Sequence, residues 1–184
     1  FTFNNGYAKL NGYRMLYLNE QLKNINLSQE GEYSYYSADS TSHSGFEYES
    51  RIFIDSKTIL DINGTLQMNV FNNGNFLPNS PSSIMNASLS RIFSDDLLLY
   101  ANYRKIGGMY IDNTNAGDGY ISSYSILDLG ASISWKKVKV DLKINNVFNR
   151  LYSTYGYSYE YNGYNAFYWP GADRNTFINL SYSF

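Results

Sequence analysis

Residues Val138–Asn145 alternate without an error, with Val138, Val140, Leu142 and Ile144 aliphatic and Lys139, Asp141, Lys143 and Asn145 polar. Side chains on an extended strand share a face at a spacing of two, so this stretch is a strand lying between an apolar medium and a polar one. The pattern recurs. Leu60, Ile62, Leu66, Met68 and Val70 oppose Asp61, Asn63, Thr65, Gln67 and Asn69, and Leu127, Leu129, Ala131, Ile133 and Trp135 oppose Asp128, Ser132 and Ser134. Thr176, Ile178, Leu180, Tyr182 and Phe184 close the chain in the same way, facing away from Asn179, Ser181 and Ser183. No segment shows a helical period.

Further alternating stretches fall at residues 85–93, 97–104, 47–55 and 25–35, and a first one at about 7–19. Short polar connections are predicted near residues 20–24, 55–58, 94–96 and 135–137. Long ones are predicted near 37–45, 72–82, 110–120 and 150–173. Pro78, Pro81 and Pro170 all fall in long connections, where no ladder N–H is lost. The expected fold is all-β: nine antiparallel strands, up and down, with unlike ends.

Composition narrows the function. The chain of 184 residues has a net charge of −2, no cysteine and one histidine, but 20 tyrosines. Near-neutral charge lacks the basic footprint of a nucleic-acid binder, and the absence of cysteine excludes a disulfide scaffold and a thiol nucleophile. No window approaches eighteen apolar residues, and no leader-like run opens the chain.

Strands of about 12 residues are long for a soluble sheet and suit a tilted crossing of an apolar band roughly 25 Å tall. Tyr33, Tyr35, Phe93, Tyr103, Trp135, Tyr182 and Phe184 lie at the ends of aliphatic stretches, where interfacial aromatic girdles form. Short turns at one end and long loops at the other match the asymmetry of outer-membrane barrels. A sheet in hydrocarbon must close on itself, and bacterial single-chain barrels have even strand numbers. Nine strands therefore predict a piece of a larger barrel. With the last strand ending on the short-turn side, the first is expected to begin outside.

Specific motifs follow. Ile-Asn-Asn-Val-Phe-Asn-Arg-Leu-Tyr at 144–152 precedes a long aromatic loop, then Trp-Pro-Gly-Ala-Asp-Arg at 169–174, then the terminal strand. Leu-Pro-Asn-Ser-Pro at 77–81 and Ser-Tyr-Ser-Ile-Leu-Asp at 123–128 each introduce a strand. In this order the motifs resemble the C-terminal part of a TonB-dependent outer-membrane receptor, over nearly all of residues 1–184.

The resemblance implies a transmembrane segment of a barrel of 22 strands in the bacterial outer membrane, with the plug domain and TonB box absent from this chain. It implies active import of a scarce ligand such as a ferric siderophore, haem, cobalamin or glycan. The implied partners are outer-membrane lipid, the plug and remaining barrel, TonB through the missing N-terminal part, and the barrel-assembly machinery. Ile178, Leu180, Tyr182 and Phe184 resemble the terminal signal that this machinery reads. No enzymatic activity, cofactor or nucleic-acid partner is implied. A self-contained small barrel acting as adhesin, pore or enzyme is the alternative.

Ligand-contact candidates lie in the last outer loop: Tyr155, Tyr157, Tyr159, Tyr161, Tyr164, Tyr168 and Trp169. Rigid aromatics there can stack on or hydrogen-bond a ligand at small entropic cost. His43 is expected on an exposed outer loop, without the partners a hydrolytic triad needs. Glu30, Glu32, Glu47, Glu49, Arg51, Asp61, Asp128, Lys139, Asp141 and Lys143 are expected to face inward and pair across strands. Asp112, Asn113, Asn115 and Asp118 offer oxygen ligands, but not at the spacing of a recognised calcium loop.

Overall fold

The computed structural model describes residues 1–27, 33–160 and 162–184, so Glu30, Glu32 and Tyr161 lie outside the described residues, as does the side chain of Tyr33. The described residues form thirteen strands: β1 (Thr2–Phe3), β2 (Gly6–Leu27), β3 (Tyr33–Asp55), β4 (Thr58–Phe71), β5 (Ser83–Ser94), β6 (Leu97–Ile106), β7 (Met109–Tyr110), β8 (Tyr120–Ile121), β9 (Tyr124–Trp135), β10 (Val138–Asn145), β11 (Ser153–Glu160), β12 (Tyr164–Pro170) and β13 (Asn175–Tyr182). Nine form one antiparallel sheet in the order β1-β2-β3-β4-β5-β6-β9-β10-β13. The pairs β7–β8 and β11–β12 are separate hairpins.

Register converts the sequence alternation into two continuous faces. Leu60 lies opposite Leu89, Leu89 opposite Ala101, Ala101 opposite Leu129, and Leu129 opposite Ile144. Beside that row, Leu99, Ala131, Leu142 and Ile178 form another. On the reverse face Arg51, Asp61, Ser88, Asn102 and Asp128 line up. A slip of one residue would exchange the two faces, so the pattern fixes the register. Among the described residues no layer covers the apolar face: Leu66, Met68, Leu89, Ile133, Leu142 and Leu180 are all exposed.

The expected inward charges do pair. Arg51 donates to both oxygens of Asp61 at 2.7 and 3.1 Å. Lys9 meets Glu49 at 3.5 Å and Lys143 meets Asp128 at 3.6 Å across neighbouring strands, whereas Lys139 meets Asp141 at 3.2 Å along β10 itself. Glu47 accepts from Asn11 at 3.2 Å.

Besides the turn at 4–5 between β1 and β2, three connections at the same end of the sheet are two-residue turns, at 56–57, 95–96 and 136–137. In the first, the Asp55 carboxylate accepts from the amide of Lys57 at 2.7 Å, the hydroxyl of Thr58 at 3.1 Å and the guanidinium of Arg91 at 3.0 Å. In the third, Lys136 takes φ 55°, the left-handed backbone that tight hairpins require.

Two expectations fail in the N-terminal third. Residues 20–24 are not a turn and 37–45 are not a loop, because β2 and β3 run unbroken through both. The nine-stranded count stands, but the three strands expected at 7–19, 25–35 and 47–55 are two, β2 and β3, and the two-residue β1 supplies the ninth. Consequently β2 starts at the short-turn end, not at the loop end. Residues 20–24 and 37–40 lie where the two strands rise past β4, whose last residue, Phe71, pairs with Thr41, while 41–45 pair with β4 itself. Ladder hydrogen bonds between β2 and β3 hold these stretches in strands without apolar alternation. Tyr35, opposite Lys23 on this arm, stands beyond the expected girdle. Phe93, Tyr103, Trp135 and Tyr182 do end exposed on the wall.

His43 accordingly lies within β3, opposite Met15, and not on a loop. Asn19, at φ 59°, interrupts the alternation of β2. Glu20 then meets His43 Nε2 at 3.1 Å and accepts from the Thr41 hydroxyl, while Tyr17 packs edge-on against the imidazole at 5.1 Å.

Candidate functional site

The loop end carries the molecule's buried apolar cluster. Met109, Ile111 and Ile121 of the β7–β8 hairpin are 6%, 4% and 4% exposed, and Ala166 of β12 packs against them. The β11–β12 hairpin is seated on this cluster by one face only. Gly156 lies so close to Ile111 that a Cβ there would fall 2.5 Å from its side chain. Ser158 and Tyr164 reach Asp112, and the Tyr168 hydroxyl donates to the carbonyl of Asp118.

The opposite face of the hairpin is a row of rings. Tyr155 and Trp169 lie 5.4 Å apart, Trp169 and Tyr157 5.0 Å, Tyr157 and Phe167 5.2 Å, and Phe167 and Tyr159 5.3 Å. The last two pairs are near-parallel, at 19° and 9°. Period two again makes the division: the ring-bearing positions 155, 157 and 159 share one face, and 156 and 158 the other. Lys23 of β2 places its ammonium 5.9 Å from the Tyr157 ring centre, so the ridge faces the β2–β3 arm.

Of the sequence candidates, Tyr155, Tyr157, Tyr159 and Trp169 thus come together, while Tyr164 and Tyr168 turn to the packed side. Phe167 belongs to the ridge and was missed, although its cross-strand position opposite Tyr157 completes the row.

Asp112 is 3% exposed. Its Oδ1 accepts from the Thr114 amide at 2.8 Å and the Thr114 hydroxyl at 2.6 Å, and its Oδ2 from Ser158 at 2.6 Å and from Tyr164. Burial by itself would raise the Asp112 carboxyl, but the donors from Ser158, Thr114 and Tyr164 outweigh it and hold it below the ordinary range. Burial, then the bond to Asp112, push the Tyr164 phenol well above its usual value. With both carboxylate oxygens occupied by protein donors, Asp112 is a structural acceptor rather than a calcium ligand.

Neighbouring loops are tied to this centre. Asn115, at φ 55°, exchanges hydrogen bonds with the backbone of Phe76, and Asn75 donates to the Asn113 carbonyl. A cavity of about 450 Å³ between them is lined by Phe76, Ser80, Met109, Tyr110 and Tyr120, among others.

The motif at 144–152 forms the loop's base. Asn146 takes φ 50°, donates its side chain to the carbonyls of Arg150 and Ala172 at 2.9 and 3.1 Å, and accepts from the Arg150 amide at 2.9 Å. Its own amide donates to Asp128 at 2.9 Å. Asn149, also at φ 50°, accepts from the Arg174 amide at 2.8 Å. The asparagines therefore knot β9, β10 and the approach to β13 together.

A one-sided apolar antiparallel wall with tight turns at one end and packed loops at the other defines a segment of a membrane-type β-barrel. The chain belongs to the TonB-dependent receptor-like β-barrel family, whose model matches residues 1–147. This is a family of receptors, not of enzymes. Among solved structures the chain is similar to the ferric yersiniabactin uptake receptor FyuA of Yersinia pestis, with a TM-score of 0.82 and 20% identity over 100% of this chain and 28% of that one. It is also similar to the ferric-catecholate import receptor Fiu of E. coli K12, with a TM-score of 0.69 and 21% identity over 96% of this chain and 25% of that one. The copper transporter OprC gives a TM-score of 0.79 and 14% identity over 100% of this chain and 30% of that one. The chain spans less than a third of the length of each of these structures. No curated protein matches the sequence.

Proposed function

We propose that residues 1–184 are a wall segment of an outer-membrane active transporter that imports a scarce ligand, with a ferric chelate as the favoured class. The observation that carries this reading is the uncovered apolar face, continuous across eight long strands and bounded at one side by the two-residue β1 on β2 and at the other by β13, with no pairing between the two sides among the described residues. In hydrocarbon such edges require further strands, which supports a larger barrel over a self-contained small one. The short-turn end then faces the periplasm and the packed loops face outward. A plug inside the polar face, TonB acting through an N-terminal part, and recognition of Ile178, Leu180, Tyr182 and Phe184 by the assembly machinery complete the reading.

In the mechanism so proposed, the wall excludes lipid, the paired charges of the polar face line the passage, and the ridge of Tyr155, Tyr157, Tyr159, Phe167 and Trp169 meets the ligand from outside. Two of the similar structures are named for ferric chelates, which supports the ligand class. The test is iron-limited growth of cells carrying the full-length receptor on a panel of ferric siderophores. One or more should rescue growth in a TonB-dependent manner, and Tyr157→Ala with Trp169→Ala should weaken rescue while heat-modifiable gel migration stays normal. TonB-independent growth, or no rescue by any ferric chelate, would refute the proposal.

A further inference from the structure

We propose that Asp112 is the positioning residue of the aromatic ridge, clamping the β11–β12 hairpin onto the β7–β8 loop so that the ring-bearing face is turned to the β2–β3 arm. This inference rests on the reading of the ridge as a ligand-contact surface. Its geometry is independent of any ligand.

The argument begins with the small area available. The hairpin's seated face offers only Gly156, Ser158, Tyr164, Ala166 and Tyr168 to the three-residue cluster beneath. A two-stranded hairpin is marginal by itself in water. So little apolar burial on this face leaves much of its orientation to directional contacts, beside the packing of β11 along β2, and two of those contacts, one from each strand of the hairpin, converge on one side chain. Ser158 stands on β11 and Tyr164 on β12, so Oδ2 of Asp112 holds both strands of the hairpin at once, while Oδ1 fixes the turn at Thr114 from which the carboxylate is presented. The Asp112 carbonyl also accepts from Asn115 at 3.2 Å, and Asn115 in turn holds the backbone of Phe76. Asp112 thus joins three outer segments.

The chemistry explains why the residue is an aspartate. An ionised carboxylate is acceptor-only and accommodates several donors, which matches three hydroxyls and one amide. An asparagine of the same shape would present an amide N–H₂ where a hydroxyl now donates, and would lose the charge assistance. The titratable groups facing the carboxylate are Tyr164 of β12, then Tyr168 of β12 and Asp118 of the same outer loop.

The test is hydrogen-exchange mass spectrometry on the full-length receptor in detergent micelles, comparing wild type, Asp112→Asn and the pair Ser158→Ala/Tyr164→Phe. Asp112→Asn should speed exchange of residues 109–121 and 153–170 by about tenfold or more, with the wall strands unchanged. Acrylamide quenching of Trp169 should rise in parallel. The double variant should reproduce the effect, and adding Asp112→Asn to it should produce little more. In wild type the protection should fall as pH drops through the Asp112 titration, whereas in Asp112→Asn it should be flat with pH. Unchanged exchange at 153–170, a uniform effect across the barrel, or full additivity would overturn the proposal. Should Asp112→Asn fail to assemble, the double variant decides by the same criteria. None of these readouts uses a ligand, so failure here is distinguishable from failure of Tyr157→Ala to weaken ferric-chelate uptake.

Discussion

Replacing Leu142 by lysine tests the assignment of the apolar face to lipid. Leu142 stands four residues above the turn at 136–137, counting from Val138. At about 3.4 Å per residue and a tilt of about 40°, that places it about 10 Å above the turn, near the middle of a band roughly 25 Å tall. It is flanked by Ala131 of β9 and Ile178 of β13 on the same face, and neither offers a carboxylate. A lysine at the bilayer midplane of a barrel destabilises by about 2–4 kcal/mol, which is roughly 30-fold to 1,000-fold in the folding equilibrium. The control is Lys143→Leu one residue away, which removes the 3.6 Å contact with Asp128 on the polar face. Urea unfolding of the full-length receptor in phosphatidylcholine vesicles, followed by heat-modifiable migration, measures both. A Leu142→Lys midpoint within error of wild type, or a larger loss for Lys143→Leu, would show that the faces have been assigned the wrong way round.

Asn146→Ala removes three side-chain hydrogen bonds and puts a Cβ-bearing residue without local hydrogen bonding at φ 50°. Loss on the order of 2–3 kcal/mol and faster proteolysis at 146–174 are expected; wild-type resistance would contradict the knot. Gly130→Val would set a Cβ 2.1 Å from the Tyr100 ring, so assembly yield should fall, and Tyr100→Ala in the same chain should restore part of it. His43→Ala leaves Glu20 without its 3.1 Å partner on a half-buried face, so the urea midpoint should drop by the equivalent of about 1.5–3 kcal/mol. Because the Asp112 carboxyl is held below its ordinary value in the folded chain, its stabilisation is complete above the ordinary carboxylate range and is lost as pH falls through the depressed value. Trp169 fluorescence followed below about pH 4 should report loosening of the ridge.

Much of the wall was legible because period two is a local property. Val138–Asn145 matches the expected strand to the residue, and three of the four tight turns lie where polar pairs interrupt the alternation. The N-terminal third departs from the expectation because its paired strands continue where the alternation of apolar and polar residues lapses. A serine-rich run such as 37–45 carries the same composition whether it is loop or solvated ladder, and the pairing of Tyr17 with Thr41 that decides the matter is 24 residues distant in sequence. His43 was misplaced for that reason. In the last outer loop the aromatic set could be named, but its two faces could not. Whether a tyrosine joins the ridge or bonds to Asp112 depends on the register of β11 with β12 and on what lies beneath.

The sequence by itself determined an antiparallel wall with one apolar face and its family, since alternation and ordered motifs are written along the chain. Only the tertiary structure decided that β2 and β3 rise as an arm, that Asp112 gathers three outer segments, and that the rings of β11 and β12 form one row. Those features depend on contacts between residues tens of positions apart, and a buried carboxylate acquires its role from the donors that folding brings to it.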